Sequence, residues 1–406
     1  MTERVHLVKP VHGGYCLGFG EGVTYFVRHG IPGEVVDIEP TRRRRRMVWA
    51  DAVDIVEPSA SRRPSVWPEA GPGGVGGGEL VHVCLEAQRR WKADVVAETL
   101  VRLGHRDFAA ATDGLTCDAC PGEDERGGLG WRSRLELTVT PDGLAGMHRW
   151  RDQSVQALEM MPLALGEIID MGLLGPDSPW RALWTPGERI RAVRGAVRIG
   201  QRWYDREQRA METPPRLSYE AAGLTYDVSG EDFWQAHVEG AGVLVRRVLA
   251  ACADCEGPVL ELYCGSGLFT RLLGERLETT SLLAVEGSPS AARSAGRIVE
   301  DIGVGEVLAA RIDAAAIKEW CLGCSPALIV TDPPRAGMGT QAAQALAASG
   351  ARRIVYIACD PASLARDGKV LLEAGYRILQ LTCDDLYPHT AHVETVAVFD
   401  RSEKVA

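Results

Sequence analysis

Several absences narrow this sequence before any motif is considered. No run of about 18 apolar residues occurs along its 406 residues, so no membrane-spanning helix is predicted. The opening segment, Met1-Thr2-Glu3-Arg4-Val5-His6, lacks the charged-then-apolar layout of an export signal, and a cytoplasmic protein is expected. A basic excess is missing as well. The formal net charge is −10, which argues against a nucleic-acid partner, because phosphate binding wants positive surface, although an average hides local charge. Eleven cysteines without an export signal read as reduced thiols rather than a disulfide framework. Three C-x-x-C pairs, Cys117/Cys120, Cys252/Cys255 and Cys321/Cys324, are far too widely separated for a paired zinc site, so no metal is expected there. No internal repeat is visible.

What is present is the composition of a soluble globular chain, 46% hydrophobic and 25% charged, long enough for two or three domains. Residues 1–57 read as a small β module. Val5–Val8, Thr24–Val27 and Glu34–Ile38 are β-prone, and Arg44–Ala50 and Ala52–Val56 could supply further strands. His12-Gly13-Gly14 and Gly30-Ile31-Pro32-Gly33 mark turns. Short strands with glycine-rich turns predict an OB-like barrel, a fold that often binds single-stranded nucleic acid. The run Arg42-Arg43-Arg44-Arg45-Arg46 lies in this module; it is a solvated face or a contact for a polyanion.

Residues 58–78, rich in Pro, Gly, Ser and Arg, read as a linker or irregular loop. A helix is predicted from about Leu85 to Leu103, and a strand within Trp131–Thr140 with Leu135, Leu137 and Val139 on one face. Residues 58–215 are expected to form a mixed α/β central domain. From residue 216 the pattern alternates. Strands at Pro258–Leu262, Leu282–Glu286, Ala327–Asp332 and Arg353–Ile357 are separated by helical stretches, which predicts an α/β fold with a parallel sheet.

Chemistry-bearing residues fall at the ends of those strands. Glu261-Leu262-Tyr263-Cys264-Gly265-Ser266-Gly267 places a G-x-G after a strand, and Glu286 follows at ribose-binding distance in sequence. The third glycine of a dinucleotide fingerprint is absent, because position 270 is Thr; this favours S-adenosylmethionine over NAD. Asp332-Pro333-Pro334-Arg335 stops a strand at the edge where such sheets bind ligands, or is an ordinary proline turn. Cys359 ends the next strand. A lone cysteine is often a small core residue, but one set among a cofactor turn and carboxylates reads as a nucleophile. Its activation needs surroundings that favour the thiolate, and Arg366 is a candidate neighbour. Glu394 lies in Ala391–Phe399, a strand-like run; it is a general base or an exposed edge position.

These segments together resemble the catalytic domain of RNA uracil-C5 methyltransferases, which make 5-methyluridine from S-adenosylmethionine. The resemblance runs over residues 216–406. It is carried by Phe233-Trp234-Gln235-Ala236-His237, Glu261–Phe269, Val285-Glu286-Gly287, Asp332–Gly337, Cys359–Asp367 and His389–Phe399. Residues 1–57 resemble a TRAM domain, and Leu85–Lys92 resemble part of the family's central domain. The resemblance implies a Rossmann-like, S-adenosylmethionine-dependent methyltransferase domain at 216–406. It implies that Cys359 is the nucleophile and Glu394 the base, and that Gln235, Tyr263, Glu286, Asp313 and Asp332 line the cofactor site. It also implies an RNA partner, ribosomal or transfer RNA. No membrane or obligate protein partner is expected.

The chain departs from the family at one place. Many members hold a [4Fe–4S] cluster through four central-domain cysteines. The corresponding positions here are Glu69, Val75, Gly78 and Met161, none of which supplies a thiolate, so no iron–sulfur cluster is expected. Two rival readings stand beside the resemblance. One is a methyltransferase acting on a substrate other than RNA, which would not need Cys359 and Glu394. The other is an RNA-binding protein whose catalytic domain no longer works.

Overall fold

A computed structural model describes residues 3–277 and 281–401. Met1 and Thr2, at the start of the expected barrel, and Ser402–Ala406, at the end of the expected catalytic domain, lie outside the described residues. Contacts divide the chain into two compact units. One comprises Met1–Val95, Pro121–Pro215 and Tyr387–His392; the other comprises Val96–Cys120, Arg216–Leu386 and Val393–Ala406.

The first unit begins with a closed five-stranded barrel. Its strands are β1 (Glu3–Val11), β2 (Tyr15–Gly20), β3 (Val23–Arg28), β4 (Val35–Arg44) and β5 (Met47–Glu57), in the order β1-β2-β3-β5-β4. Closure removes the open edges that would otherwise pair with other chains. Val5, Leu7, Val27, Val36 and Ile38 alternate inward to fill it. Two expectations change here. The stretches Arg44–Ala50 and Ala52–Val56 are not two strands: β5 runs unbroken from Met47 to Glu57, and the break falls at Arg45, whose φ is +54°. The second change is β2, which the sequence reading missed because of its glycines. Gly18 is required there, since a Cβ would lie 2.3 Å from Val5 Cγ1.

The segment 58–78 is packed rather than a loose linker: Trp67, Ala70 and Val75 are fully buried. It leads to the Leu85–Leu103 helix. The seven-stranded antiparallel sheet of this unit includes Leu135–Val139, with Leu135, Leu137 and Val139 all inward as expected. In the Tyr387–His392 segment, the His389 N–H donates to Gln88 Oε1 at 2.7 Å, and Gln88 Nε2 lies 3.0 Å from His389 Nδ1. His389 Nε2 meets the Gly127 carbonyl at 2.9 Å. A carbonyl can only accept, so the ring proton is on Nε2 and Nδ1 accepts from the amide.

The positions where relatives carry cluster cysteines are filled by other means. Glu69 accepts from Trp67 Nε1 at 3.2 Å, from the Glu159 N–H at 2.8 Å and from the Met160 N–H at 3.3 Å. One carboxylate thus ties the segment before the long helix to the segment ending at Met161. Val75 and Met161 are core residues, and Gly78 packs so closely on Ala70 that a Cβ would lie 2.6 Å from Ala70 Cβ. Among the described residues, no group of three or more His, Cys, Asp or Glu could hold a metal ion.

The second unit is built on an eight-stranded sheet. Its order is Glu306–Ala309, Leu282–Glu286, Val259–Leu262, Leu328–Thr331, Arg353–Ala358, Glu394–Arg401, Tyr376–Asp385 and Cys117–Ala119. The first five strands are parallel, and Glu394–Arg401 runs antiparallel beside Arg353–Ala358. The chain winds outward in both directions from Val259–Leu262, which makes the carboxyl ends of that strand and of Leu328–Thr331 the topological switch point where doubly wound sheets bind ligands. This is the Rossmann-like α/β fold expected. The last strand is not an edge strand: Thr395–Asp400 are buried, as is Glu394, so the edge reading of Glu394 is overturned.

Glu69→Ala leaves three N–H groups to find water in a partly packed segment. It is expected to lower unfolding stability by about 2 kcal/mol, read as a shift of the urea midpoint, with Glu69→Gln losing less than half as much.

Candidate active site

The Val259–Leu262 strand is buried along its length and ends in a turn that only certain residues can make. Tyr263 adopts φ +61° and Gly265 φ +55°. Gly267 has φ +92°, and a Cβ there would come within 2.7 Å of Ile298 Cδ1, so glycine is required on two grounds. The Leu268–Arg276 helix starts immediately afterwards. Glu286, at the end of the neighbouring strand, accepts from the Gly265 N–H at 2.9 Å and from the Ser288 N–H at 2.7 Å. Its two oxygens fix the turn and retain further lone pairs toward the crevice. Ser266 Oγ donates to the Phe233 carbonyl at 3.0 Å, which fastens the Phe233–His237 motif to the same turn. Gln235 follows in that motif and is buried.

Asp313 stands apart in character. It is an exposed N-cap whose Oδ1 accepts from the N–H groups of Ala315 at 3.0 Å and Ala316 at 3.1 Å. Asp332 leaves the sheet just past the buried Leu328–Thr331 strand. Its carboxylate has no hydrogen bond or ion pair among the described residues, and burial raises its pKa to about 7. A carboxylate without a protein partner at the switch point, a backbone turn with open glycines and a strand-end glutamate form a donor and acceptor set that suits an adenosyl cofactor with a charged tail. One further acid lay beyond the sequence reading. Glu261, 1% exposed, accepts from Thr270 Oγ1 at 2.6 Å, and burial raises its pKa to about 8. Its only signal in the sequence was its place inside an otherwise apolar strand.

Cys359 directly follows the Arg353–Ala358 strand, and its thiol is half-buried. Asp360 caps the next helix by accepting from the Ala362 and Ser363 N–H groups at 2.8 and 3.1 Å. The antiparallel ladder ends with Ala358 paired to Thr395, and Cys359 and Glu394 are the residues that adjoin that last pair. Thr395 Oγ1 donates to the Ala358 carbonyl at 2.9 Å and locks that register. Glu394 is 3% exposed at the start of its strand.

The thiol is not pre-ionised. Burial first, then the charges of Glu394 and Asp332, push the Cys359 thiol up to about 12, and Arg335 opposes them. Arg335 also lies 3.7 Å from Asp360. Arg366, the neighbour expected from sequence, donates instead to the carbonyls of Ala362 and Ala336 at 3.2 and 3.1 Å. Arg335, rather than Arg366, is the arginine whose charge opposes the rise at the thiol. Buried Asp367 completes the arrangement: its Oδ2 accepts from Tyr356 Oη and from the Met338 N–H, both at 2.7 Å. The loop after Asp332 is thereby pinned to the helix after Cys359.

A family model described as tRNA (uracil-5-)-methyltransferase matches residues 215–402. An uncharacterized RNA methyltransferase of Bifidobacterium longum is 35% identical over 99% of this chain and 97% of its own length. The chain belongs to the RNA uracil-C5 methyltransferases.

Within this family, the 23S rRNA (uracil(1939)-C(5))-methyltransferase RlmD of Chromohalobacter salexigens is 28% identical, with 94% of this chain and 85% of the relative covered. The solved structure of the Pyrococcus abyssi tRNA (uracil-54, C5)-methyltransferase, in complex with S-adenosyl-L-homocysteine, superposes with a TM-score of 0.68 at 20% identity, covering 98% of this chain and all of the other. That likeness extends the fold over both units. This uracil-C5 methyltransferase uses S-adenosylmethionine and acts on RNA. No helix among the described residues is long and apolar enough to cross a membrane.

The thiol's raised pKa has a sign that can be checked. Only the thiolate is nucleophilic, so alkylation of Cys359 by iodoacetamide, followed by peptide mass spectrometry, is expected to rise about tenfold per pH unit from 7 to 9 without a plateau. Glu394→Gln removes the largest of the three carboxylate fields and should speed alkylation at pH 8.

Proposed function

We propose that Cys359 and Glu394 carry out methyl transfer to uracil C5 through a covalent RNA adduct. The observation that carries this reading is the locked register that sets buried Glu394 across from Cys359 at the ligand-binding edge of the sheet. Gln235, Tyr263, Glu286, Asp313 and Asp332 are proposed to hold S-adenosylmethionine. Asp313 would do so with the oxygen not used in capping.

The reaction needs the target base unstacked, with C5 and C6 exposed. Cys359 sulfur bonds to C6, and the electrons of the C5–C6 double bond shift to make C5 nucleophilic. S-adenosylmethionine, when bound, supplies the methyl group that C5 takes and departs as the neutral thioether. Glu394 then accepts the C5 proton. The released pair restores the C5–C6 double bond, and Cys359 leaves as the thiolate. Splitting the transfer in this way activates a carbon that is otherwise a poor nucleophile. Since the resting thiol is protonated, substrate binding has to shift the balance at Cys359, and Arg335 is the cation placed to help.

Ribosomal or transfer RNA is the proposed substrate. Relatives named for 23S rRNA, aligned over most of the chain, favour ribosomal RNA. A cytoplasmic location is proposed because all eleven cysteines are free. No obligate protein partner is proposed. The regions 1–57, 58–215 and 216–406 are proposed as the three functional modules.

The test is a denaturing gel of Glu394→Gln incubated with total RNA and S-adenosylmethionine, with Cys359→Ala as control. A protein–RNA band that requires Cys359 is expected. If wild type methylates RNA and no adduct forms, the roles given to the two residues are wrong. If wild type is inert on all RNA, the non-RNA and binding-only readings gain.

A further inference from the structure

Two buried acids stand together at the ligand-binding edge of the second unit's sheet, and the function proposed above uses only one of them. Glu261 is paired with Val330 in the parallel register between Val259–Leu262 and Leu328–Thr331. The Asp332 N–H still donates to the Leu262 carbonyl at 3.3 Å, so extended pairing runs on to Asp332. Side chains on one face of a strand recur at every second residue. Asp332, two positions beyond Val330, therefore leaves the sheet on the face that Glu261 occupies.

Glu261 is the informative member. It is 1% exposed, and while its Oε2 accepts from Thr270 Oγ1, its Oε1 has no partner. The charges that reach it are those of Asp332 and Glu286, both acids from neighbouring strand ends. The Cys264 thiol in the turn above is in its turn pushed up by burial and by Glu261 and Glu286. The charge of Asp332 is also felt at the Cys359 thiol. No ion pair reaches Glu261 or Asp332 among the described residues. Two carboxylates in dry surroundings without a cation do not both ionise. S-adenosylmethionine supplies the missing charge: its sulfonium gives it one positive charge more than the thioether that remains after methyl transfer.

We propose that Glu261 and Asp332 share a proton in the empty enzyme, lose it to solvent when the cationic cofactor binds, and regain it when the neutral thioether takes the cofactor's place. The proposal rests on the assignment of Asp332 to the cofactor site made above. Glu261 is a positioning residue here: it touches no reacting atom and acts by setting the charge of Asp332. The pair thereby separates fresh cofactor from spent product, two molecules that differ by one methyl group and one charge. The sign of the pH dependence follows. The cation binds the deprotonated pair, so affinity for S-adenosylmethionine rises with pH and levels off above about 8, where Glu261 has ionised.

The test is titration calorimetry of the full chain with S-adenosylmethionine and, separately, with S-adenosylhomocysteine. Each is run at pH 7 in phosphate and in imidazole, whose heats of protonation differ, so the difference between buffers counts protons. S-adenosylmethionine is expected to release about one proton per site more than S-adenosylhomocysteine. Glu261→Gln keeps an acceptor for Thr270 and removes the acid, and its melting curve shows whether it is folded. In that variant the excess is expected to fall to about half, the share left to Asp332. The rise in S-adenosylmethionine affinity between pH 6 and 8 should flatten from about tenfold to about threefold. Equal proton counts for the two ligands in the wild type overturn the proposal, and this comparison decides alone if the variant does not fold. A folded variant that releases as many protons as wild type overturns it too, because Glu261 would then take no part. If neither ligand binds the wild type, the cofactor assignment falls and this proposal with it; binding without excess release removes this proposal alone.

Discussion

An ionisable carboxylate in a sheet interior is unfavourable, and Glu394 stands at the first position of a strand paired on both sides. That placement depends on one antiparallel insertion. The final strand enters between two earlier ones and begins its buried run at the edge where the parallel strands end. Register does the rest. A slip by one residue would turn every side chain of this strand to the opposite face, and the Thr395 hydroxyl on the Ala358 carbonyl resists it. Cys359 and Glu394 are held at neighbouring strand ends because the two strands pair in this one register.

Around that pair the site is rigid and electrostatically tense. Asp367 binds the loop after Asp332 to the helix after Cys359, so two strand ends and their following segments act as one piece. Asp332 and Glu261 are held in low-dielectric surroundings that raise their pKa values, and the same surroundings keep the thiol protonated at rest. A thiol kept protonated is protected from oxidation and stray alkylation. The first unit answers its missing thiolates differently, through a carboxylate that bridges backbone groups and through ordinary packing. Glu69 can join two segments by hydrogen bonds; it cannot reproduce the covalent grip of an iron–sulfur cluster.

Much was legible in the residues themselves. Alternating strands and helices with glycine turns fixed the α/β class, because hydrophobic period and turn chemistry are local properties. The motifs at Glu261–Gly267, Asp332–Arg335 and Cys359–Asp367 each lie at a strand end, and strand ends can be read from a change of composition. The helix at Leu85–Leu103 and the inward face of Leu135, Leu137 and Val139 came from the same kind of signal. Where local signals were weak, the reading failed. A glycine-rich strand at Tyr15–Gly20 was missed, and a single long strand was divided in two.

Which residues would meet was a different matter. Arg366 was the neighbour of Cys359 expected from sequence; the folded backbone sends its guanidinium to carbonyls, and it is the charge of Arg335 that is felt at the thiol. Glu394 could have been an exposed edge residue until the strand order enclosed it. A cavity around Arg28 gathers residues from four barrel strands and from a turn more than a hundred positions later. The sequence by itself determined the elements, the chemistry available and the family likeness, because these depend on residue identity and short-range pattern. Tertiary structure alone decided burial, register and therefore pKa, because those depend on how distant parts of the chain exclude water from one another.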